Sequence, residues 1–315
     1  MGRVLVTGAT GFVGAALARE LFAQGIDVRC AARRTNASLP SGISQTLIRD
    51  VASTDDWASA LDNVDAVVHL AGLAHRLRVT DAEQGAYHRV NALGTAALAA
   101  AAGRAGVRRV VLASTIAVNG TTTPVQPFCE SSEVAPEGEY ALSKLSAEEA
   151  LRRAAAEYGF EWCIFRPPMV YGKDAPGNFA RLTKLVMSGR PLPLGRAVAK
   201  KSLISIGNLI SATSRLITHP SAANELFLVS DDDDVSTSDF IQHIGLALGR
   251  KPLLFNVPEG VIRYAAGLLG RGSDVDKLFK PLMIDASHIK TALQWTPPYS
   301  VIEGIKDAFG RVQKS

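Results

Sequence analysis

Short apolar runs alternate with alanine-rich helical stretches over the first half of the chain. Arg3 to Thr7 (RVLVT) reads as a buried strand. Asp27 to Ala31, Ala66 to Leu70, Arg109 to Ala113 and Trp162 to Arg166 read as further strands. Between them, Gly14 to Gln24 carries Leu17, Leu21 and Phe22 on one helical face, and Ala92 to Ala105 and Ser143 to Tyr158 are helical in composition. This alternation predicts an α/β fold, a doubly wound parallel sheet covered on both faces with right-handed crossovers. After Tyr171 the texture changes, with Gly172, Pro176, Gly177, Gly189, Pro191, Pro193 and Gly195 close together. The expected organisation is therefore a first domain over 1–172 and a smaller lobe over 173–315. Later strands are expected to return to the sheet at Lys201 to Ile206 and Glu225 to Val229. The acidic run Asp231 to Asp234 reads as a solvated loop; adjacent side chains point apart, which argues against a metal site there.

Composition narrows the class. The chain has 315 residues, 47% apolar and 20% charged, which suits a folded globular protein with a sizeable core. The net charge of +4 comes without a Lys/Arg block, so an anionic small ligand fits better than nucleic acid. Cys30, Cys129 and Cys163 form no metal or disulfide spacing, which fits a reducing compartment. No charged-then-apolar leader precedes Arg3, and the best apolar stretch, Val261 to Leu269, is short and interrupted by Arg263. A cytoplasmic protein without membrane insertion is expected.

Gly8-Ala9-Thr10-Gly11-Phe12-Val13-Gly14 follows the first strand and opens the first helix. Gly8 permits a tight turn, Gly11 lets the backbone approach a pyrophosphate, and Gly14 lets helix and strand pack. The helix N-terminus then offers free N–H groups to phosphate, the arrangement of a Rossmann dinucleotide site. The second strand ends Ala31-Ala32-Arg33-Arg34, with no carboxylate for a ribose 2′-OH. Two guanidiniums suit a 2′-phosphate instead, so NADP(H) is preferred and NAD(H) is the alternative. Asp50 and Val51 are candidates to contact the adenine, and Leu70-Ala71-Gly72 would run along the cofactor.

Tyr140 and Lys144 lie four apart on one helical face. A neighbouring ammonium brings a tyrosine, whose ordinary pKa is about 10, towards neutral pH. Ser114 and Thr115 follow a strand and could hydrogen-bond the oxygen on which Tyr140 acts.

TGATGFVG (Thr7 to Gly14), HLAG (His69 to Gly72), VNALGT (Val90 to Thr95), STIAVNG (Ser114 to Gly120), YALSK (Tyr140 to Lys144) and RPPMVYG (Arg166 to Gly172) together resemble the extended short-chain dehydrogenase/reductases of the NAD(P)-dependent epimerase/dehydratase family. The resemblance implies Thr115 as the catalytic Ser/Thr, with Ser114 beside it, and Tyr140 and Lys144 as the acid/base pair. It implies that Asn91 supports the active-site helix and that Pro167 lies at the cofactor. Asn119 stands where the family usually has a non-catalytic tyrosine. Asn178, Leu194, Gly195 and Lys201 match the stretch that holds UDP in sugar-nucleotide members, and Arg271, Lys277 and Lys280 could reach a second phosphate. Leu293 to Tyr299 resembles a closing structural element. Family members often dimerise through two helices, here Ala92 to Ala105 and Ser143 to Tyr158.

The resulting expectation is an enzyme acting at C4 of a UDP-sugar. It would reduce a UDP-4-keto-(2-acetamido-)6-deoxyhexose for surface polysaccharide. The alternative is a UDP-hexose 4-epimerase that retains NAD. A dehydratase would need an acid beside Thr115, where Ile116 and Ala117 stand instead. A non-catalytic NADP-sensing regulator is a further alternative, but such proteins typically lose the Tyr/Lys pair.

Overall fold

The computed structural model describes residues 2–74, 85–123, 125–268, 270 and 272–310. The chain runs β1 (Arg3–Thr7), α1 (Phe12–Ala23), β2 (Val28–Ala32), β3 (Ser44–Leu47), α2 (Thr54–Leu61) and β4 (Val64–His69). A π-helical turn, His88–Leu93, leads into α3 (Gly94–Arg104), followed by β5 (Arg109–Ala113), α4 (Gly138–Tyr158), β6 (Glu161–Arg166) and β7 (Met169–Tyr171). Then come α5 (Asn178–Met187), β8 (Lys200–Lys201), β9 (Leu203–Ser205), α6 (Ile206–Thr218), β10 (Glu225–Leu228), β11 (Val235–Ser236) and α7 (Thr237–Leu248). Four helices close the described chain: α8 (Glu259–Leu268), α9 (Gly272–Phe279), α10 (Ser287–Leu293) and α11 (Val301–Ala308).

Seven parallel strands form one sheet in the order β10-β6-β5-β4-β1-β2-β3. Period-two alternation assigns the faces. Val4 and Val6 join the layer made with α1 and α6, while Leu5 between them joins the layer made with α2, α3 and α4. The strand order reverses between β1 and β4, and ligands of such sheets bind at that switch point, beyond the strands' C-terminal ends. Arg109, buried in β5, donates to the Leu216, Ile217 and His219 carbonyls at the end of α6 and pairs with Glu161. A cation at a helix C-terminus is favourable, and this one ties α6 to the sheet.

Three expectations are corrected. Lys201 to Ile206 does not return to the main sheet. β9 pairs with β7 in a separate two-stranded sheet, and β8 pairs with β11. Pro167 and Pro168 follow β6 and carry no N–H to continue the ladder, so the chain leaves the sheet before β7. Glu225 to Leu228 does return, beside β6. Helix α4 begins at Gly138 rather than Ser143, which puts Tyr140 in its first turn. The third correction is Asp231. It is buried in the C-terminal lobe, where its carboxylate accepts from Tyr171 Oη at 2.6 Å, Ser205 N at 2.9 Å and Asn208 Nδ2 at 2.7 Å. The lobe's apolar core gathers Phe179, Leu203, Phe240, Val301 and Ile305 around Tyr171.

Candidate active site

The glycine turn is shaped by close approach. Gly8 has φ +71°, and a Cβ there would lie 2.8 Å from the Leu70 and Ala71 backbone. A Cβ on Gly14 would lie 2.3 Å from the Gly8 carbonyl oxygen. Gly11 caps α1 without a side chain, and the helix's first turn has no acidic residue. The amides of Phe12 and Val13 begin the helix as free donors, so the positive end is open to a phosphate. These features fit a dinucleotide's pyrophosphate, with Thr10 in the same turn.

The end of β4 is fastened to this turn by Thr7. Its Oγ1 accepts from Leu70 N at 3.1 Å and Ala71 N at 3.0 Å, and it lies 2.8 Å from His69 Nδ1. His69 is buried against Trp57, and burial above all pushes its pKa down to about 3. Arg33 and Arg34 are exposed at the bend after β2, and Ala32 occupies the strand's last position. Asp50 lies beyond β3, its carboxylate paired with Arg89 at 2.6 Å. Val51 touches Gly94 at the start of α3.

Lys144 is buried on α4, and its Nζ donates to the Ala113 carbonyl at 2.8 Å. Burial lowers its pKa to about 8, with Glu148 opposing. A Cβ on Gly72 would fall 3.3 Å from Lys144 Nζ and 3.1 Å from Asn91 Oδ1, so this position keeps room for the lysine. Asn91 accepts from Leu73 N at 2.7 Å and donates to Ser143 Oγ at 2.9 Å, and Ser143 Oγ donates to the Tyr140 carbonyl. Asn91 thereby braces the first turn of α4. The Tyr140 ring meets that of Tyr87 edge-on at 5.9 Å, and Thr115 lies near its hydroxyl. The expected lowering of the Tyr140 pKa is not found. Burial raises it, the Thr115 hydroxyl opposes, and the Lys144 ammonium is engaged by Ala113 instead.

Glycine turn, Thr115, Tyr140 and Lys144 converge on the switch point of one sheet. The chain belongs to the NAD dependent epimerase/dehydratase family. Residues 4–229 match that family. Over 306 residues the chain is 38% identical to a UDP-glucose 4-epimerase of Vibrio cholerae, covering 96% of this chain and 93% of that protein. It is 28% identical over 271 residues to an N-acetyl-alpha-D-glucosaminyl-diphospho-ditrans,octacis-undecaprenol 4-epimerase of Escherichia coli O157:H7, covering 85% of this chain and 77% of that one. The fold is that of the Thermotoga maritima UDP-glucose 4-epimerase solved with UDP-glucose, at a TM-score of 0.79 and 20% identity over 98% of each chain. The chain is thus an enzyme of the nicotinamide-dependent kind.

This family member spends Ser114 differently from the expectation. Its hydroxyl donates to Glu148 at 2.5 Å instead of serving a substrate, because a buried carboxylate needs every donor in reach. Arg166 donates to both Glu148 oxygens, at 2.8 and 2.6 Å, and to Asn119 Oδ1 at 2.9 Å. Asn119 therefore has a structural task. Glu148 and Arg166 were missed by motif reading. The signal was there: a carboxylate one turn beyond Lys144, and an arginine closing an apolar strand.

A cavity of about 320 Å³ opens in the C-terminal lobe and brings Asn178, Lys201 and Lys277 together, with Arg181 and Thr121. Thr121 lies in the loop that follows the Thr115 turn. Lys201 donates to the Lys280 carbonyl, and burial lowers its pKa to about 8. Leu194 is buried in the lobe's core, and Gly195 N donates to Phe255 O at 3.1 Å; neither lines this cavity. Leu194 is apolar and Gly195 lies against the Phe255 backbone, so both are absorbed by packing. Arg271 lies outside the described residues. Pro167 accepts from Ile116 N at 3.0 Å and fixes the turn after Thr115.

Proposed function

We propose that the protein reduces the C4 ketone of a UDP-4-keto sugar, a (2-acetamido-)6-deoxyhexose, with NADPH preferred over NADH. The observation that carries this reading is the end of β2, where Arg33 and Arg34 are exposed and no carboxylate is available for a ribose 2′-OH. A cofactor held this way can exchange between turnovers, as a reductase requires. The turn from Gly8 to Gly14, with Thr10, Phe12 and Val13, would hold the pyrophosphate. Leu70, Ala71, Gly72, Asn91, Lys144 and Pro167 would border the rest. The bound nicotinamide supplies hydride exchange with C4.

The protein's own part is proton handling and orientation. Tyr140 is protonated at rest because burial raises its pKa, which is the state needed to give a proton to a ketone oxygen. Thr115 would share the same oxygen. Lys144 stands one helical turn beyond Tyr140, and burial lowers its pKa to about 8. Asn178, Lys201 and Lys277 give the cavity donors for a diphosphate. Tyr140→Phe should lower turnover about 10²-fold or more while leaving the fold and cofactor affinity intact. Parallel kinetics and cofactor titration of the variant check this.

The second reading, a UDP-hexose 4-epimerase, is favoured by the 38% identity to the Vibrio cholerae protein along almost the whole chain. Denaturing the purified protein and identifying the released nucleotide separates the two. An empty site with tighter NADPH than NADH binding supports the reductase. Stoichiometric NAD, with sugar interconversion and no added cofactor, supports the epimerase.

A further inference from the structure

Helix α8 turns its apolar side outward. Val261, Tyr264, Ala265 and Leu268 stand at i, i+3, i+4 and i+7, and all four are exposed, Tyr264 by 73% and Leu268 by 74%. The opposite side, Ile262, Arg263 and Ala266, is only half-buried, and Arg263 bonds Asp276 of α9 at 2.8 Å. None of the helix's described residues is buried. A surface helix of a globular protein normally does the reverse.

The exposed apolar surface continues beside it. Phe255 and Leu253 precede α8, and their backbones pair with Leu192, which follows α5. Arg250 donates to the Met187 carbonyl, which joins the end of α5 to the same surface, and Met187 is exposed.

The charge on this side is predominantly basic, the Glu259 carboxylate of α8 being paired with Arg263 at 2.6 Å. Between Asp174 and Glu225 the chain has no acidic residue, while Lys184, Arg190 and Arg196 are exposed basic groups. Arg250 and Lys251 add to them.

We propose that this face docks the protein on a bilayer surface carrying anionic phospholipid headgroups. The apolar stripe of α8 lies in the interface, and the basic groups of α5 and its neighbours meet the headgroups. Ten residues are too few to span a bilayer, so the contact is peripheral. Charge decides against a second copy of the chain as the occupant, since two such faces would bring like charges together. α9 carries Lys277 and Leu278 to the cavity while α8 packs on it, so docking sets the cavity next to the membrane surface. The proposal rests on the surface alone and stands whichever sugar the cavity takes.

The test is co-sedimentation of the full chain with vesicles of phosphatidylcholine, alone or mixed with phosphatidylglycerol. Binding to the mixed vesicles, weak binding to phosphatidylcholine and release by high salt are expected. The Tyr264→Asp/Leu268→Asp and Arg190→Glu/Lys251→Glu proteins should each lose at least about tenfold in vesicle affinity. Both should keep the wild-type melting temperature and turnover, which separates this proposal from the catalytic reading. No binding by the wild type, or equal binding by the α8 variant, overturns it. So does a wild-type dimer that the α8 variant disrupts while vesicles are ignored, because a second copy would then own the face.

Discussion

Two buried carboxylates, one in each half of the chain, are satisfied by different chemistry. Glu148 on α4 is closed in by the Arg166 guanidinium, with Ser114 as a third donor. Asp231, just after β10, meets only neutral donors: the Tyr171 hydroxyl, the Ser205 amide and the Asn208 side chain. The ionic cluster underlies the catalytic helix, where an exact backbone position is needed. The neutral cluster joins β7, β9 and α6. A buried acid can thus be held by a charge that is ruinous to strand, or, as at Asp231, by dipoles that leave it titrating above its ordinary range.

The largest effect should come from breaking the ionic cluster. Glu148→Ala leaves Arg166 buried without a counter-ion and should cost about 3–5 kcal/mol in denaturant unfolding. Replacing both partners, Glu148→Met with Arg166→Met, should recover most of that loss. A double variant as unstable as the single one would show that the loss does not come from a stranded charge.

The neutral cluster should instead show itself in pH. Burial raises the Asp231 pKa from its ordinary 3.8 to about 6. Between those values the folded carboxyl keeps a proton that the unfolded chain has released. Stability therefore falls as pH rises from about 4 to about 6, and is level above. Melting temperatures across that window should show the slope, and Asp231→Asn should remove it. Tyr171→Phe is the mildest change. It removes one donor, should cost about 1 kcal/mol, and should push the Asp231 transition to still higher pH.

What was legible in the sequence was local. The glycine turn, the Tyr140–Lys144 spacing and the seam of apolar strands each follow from a few neighbouring residues. β3 was faint because Ser44-Gln45-Thr46-Leu47 is an edge strand with little apolar signal. The pairing of β9 with β7 depends on where two prolines divert the chain. Asp231 is adjacent to three acids and reads as solvent-facing, yet its donors come from Tyr171, Ser205 and Asn208, far away in sequence. The site splits in the same way. Tyr140 and Thr115 were readable, while the Glu148–Arg166 clamp beneath them exists only once α4 packs on β6.

The Thr7 hydroxyl fixes one more property. Two backbone amides fill its acceptor positions, so its own hydrogen points to His69 Nδ1. The imidazole hydrogen must then sit on Nε2, which has no polar partner among the described residues. His69 is a frozen tautomer. With its ring nitrogens isotopically labelled, it should give one bare and one protonated resonance, unmoved between about pH 5 and about pH 8 while exposed imidazoles drift. A stationary pair of lines would make the cofactor end of the sheet observable by spectroscopy, with any ligand that displaces Thr7 betrayed by their shift.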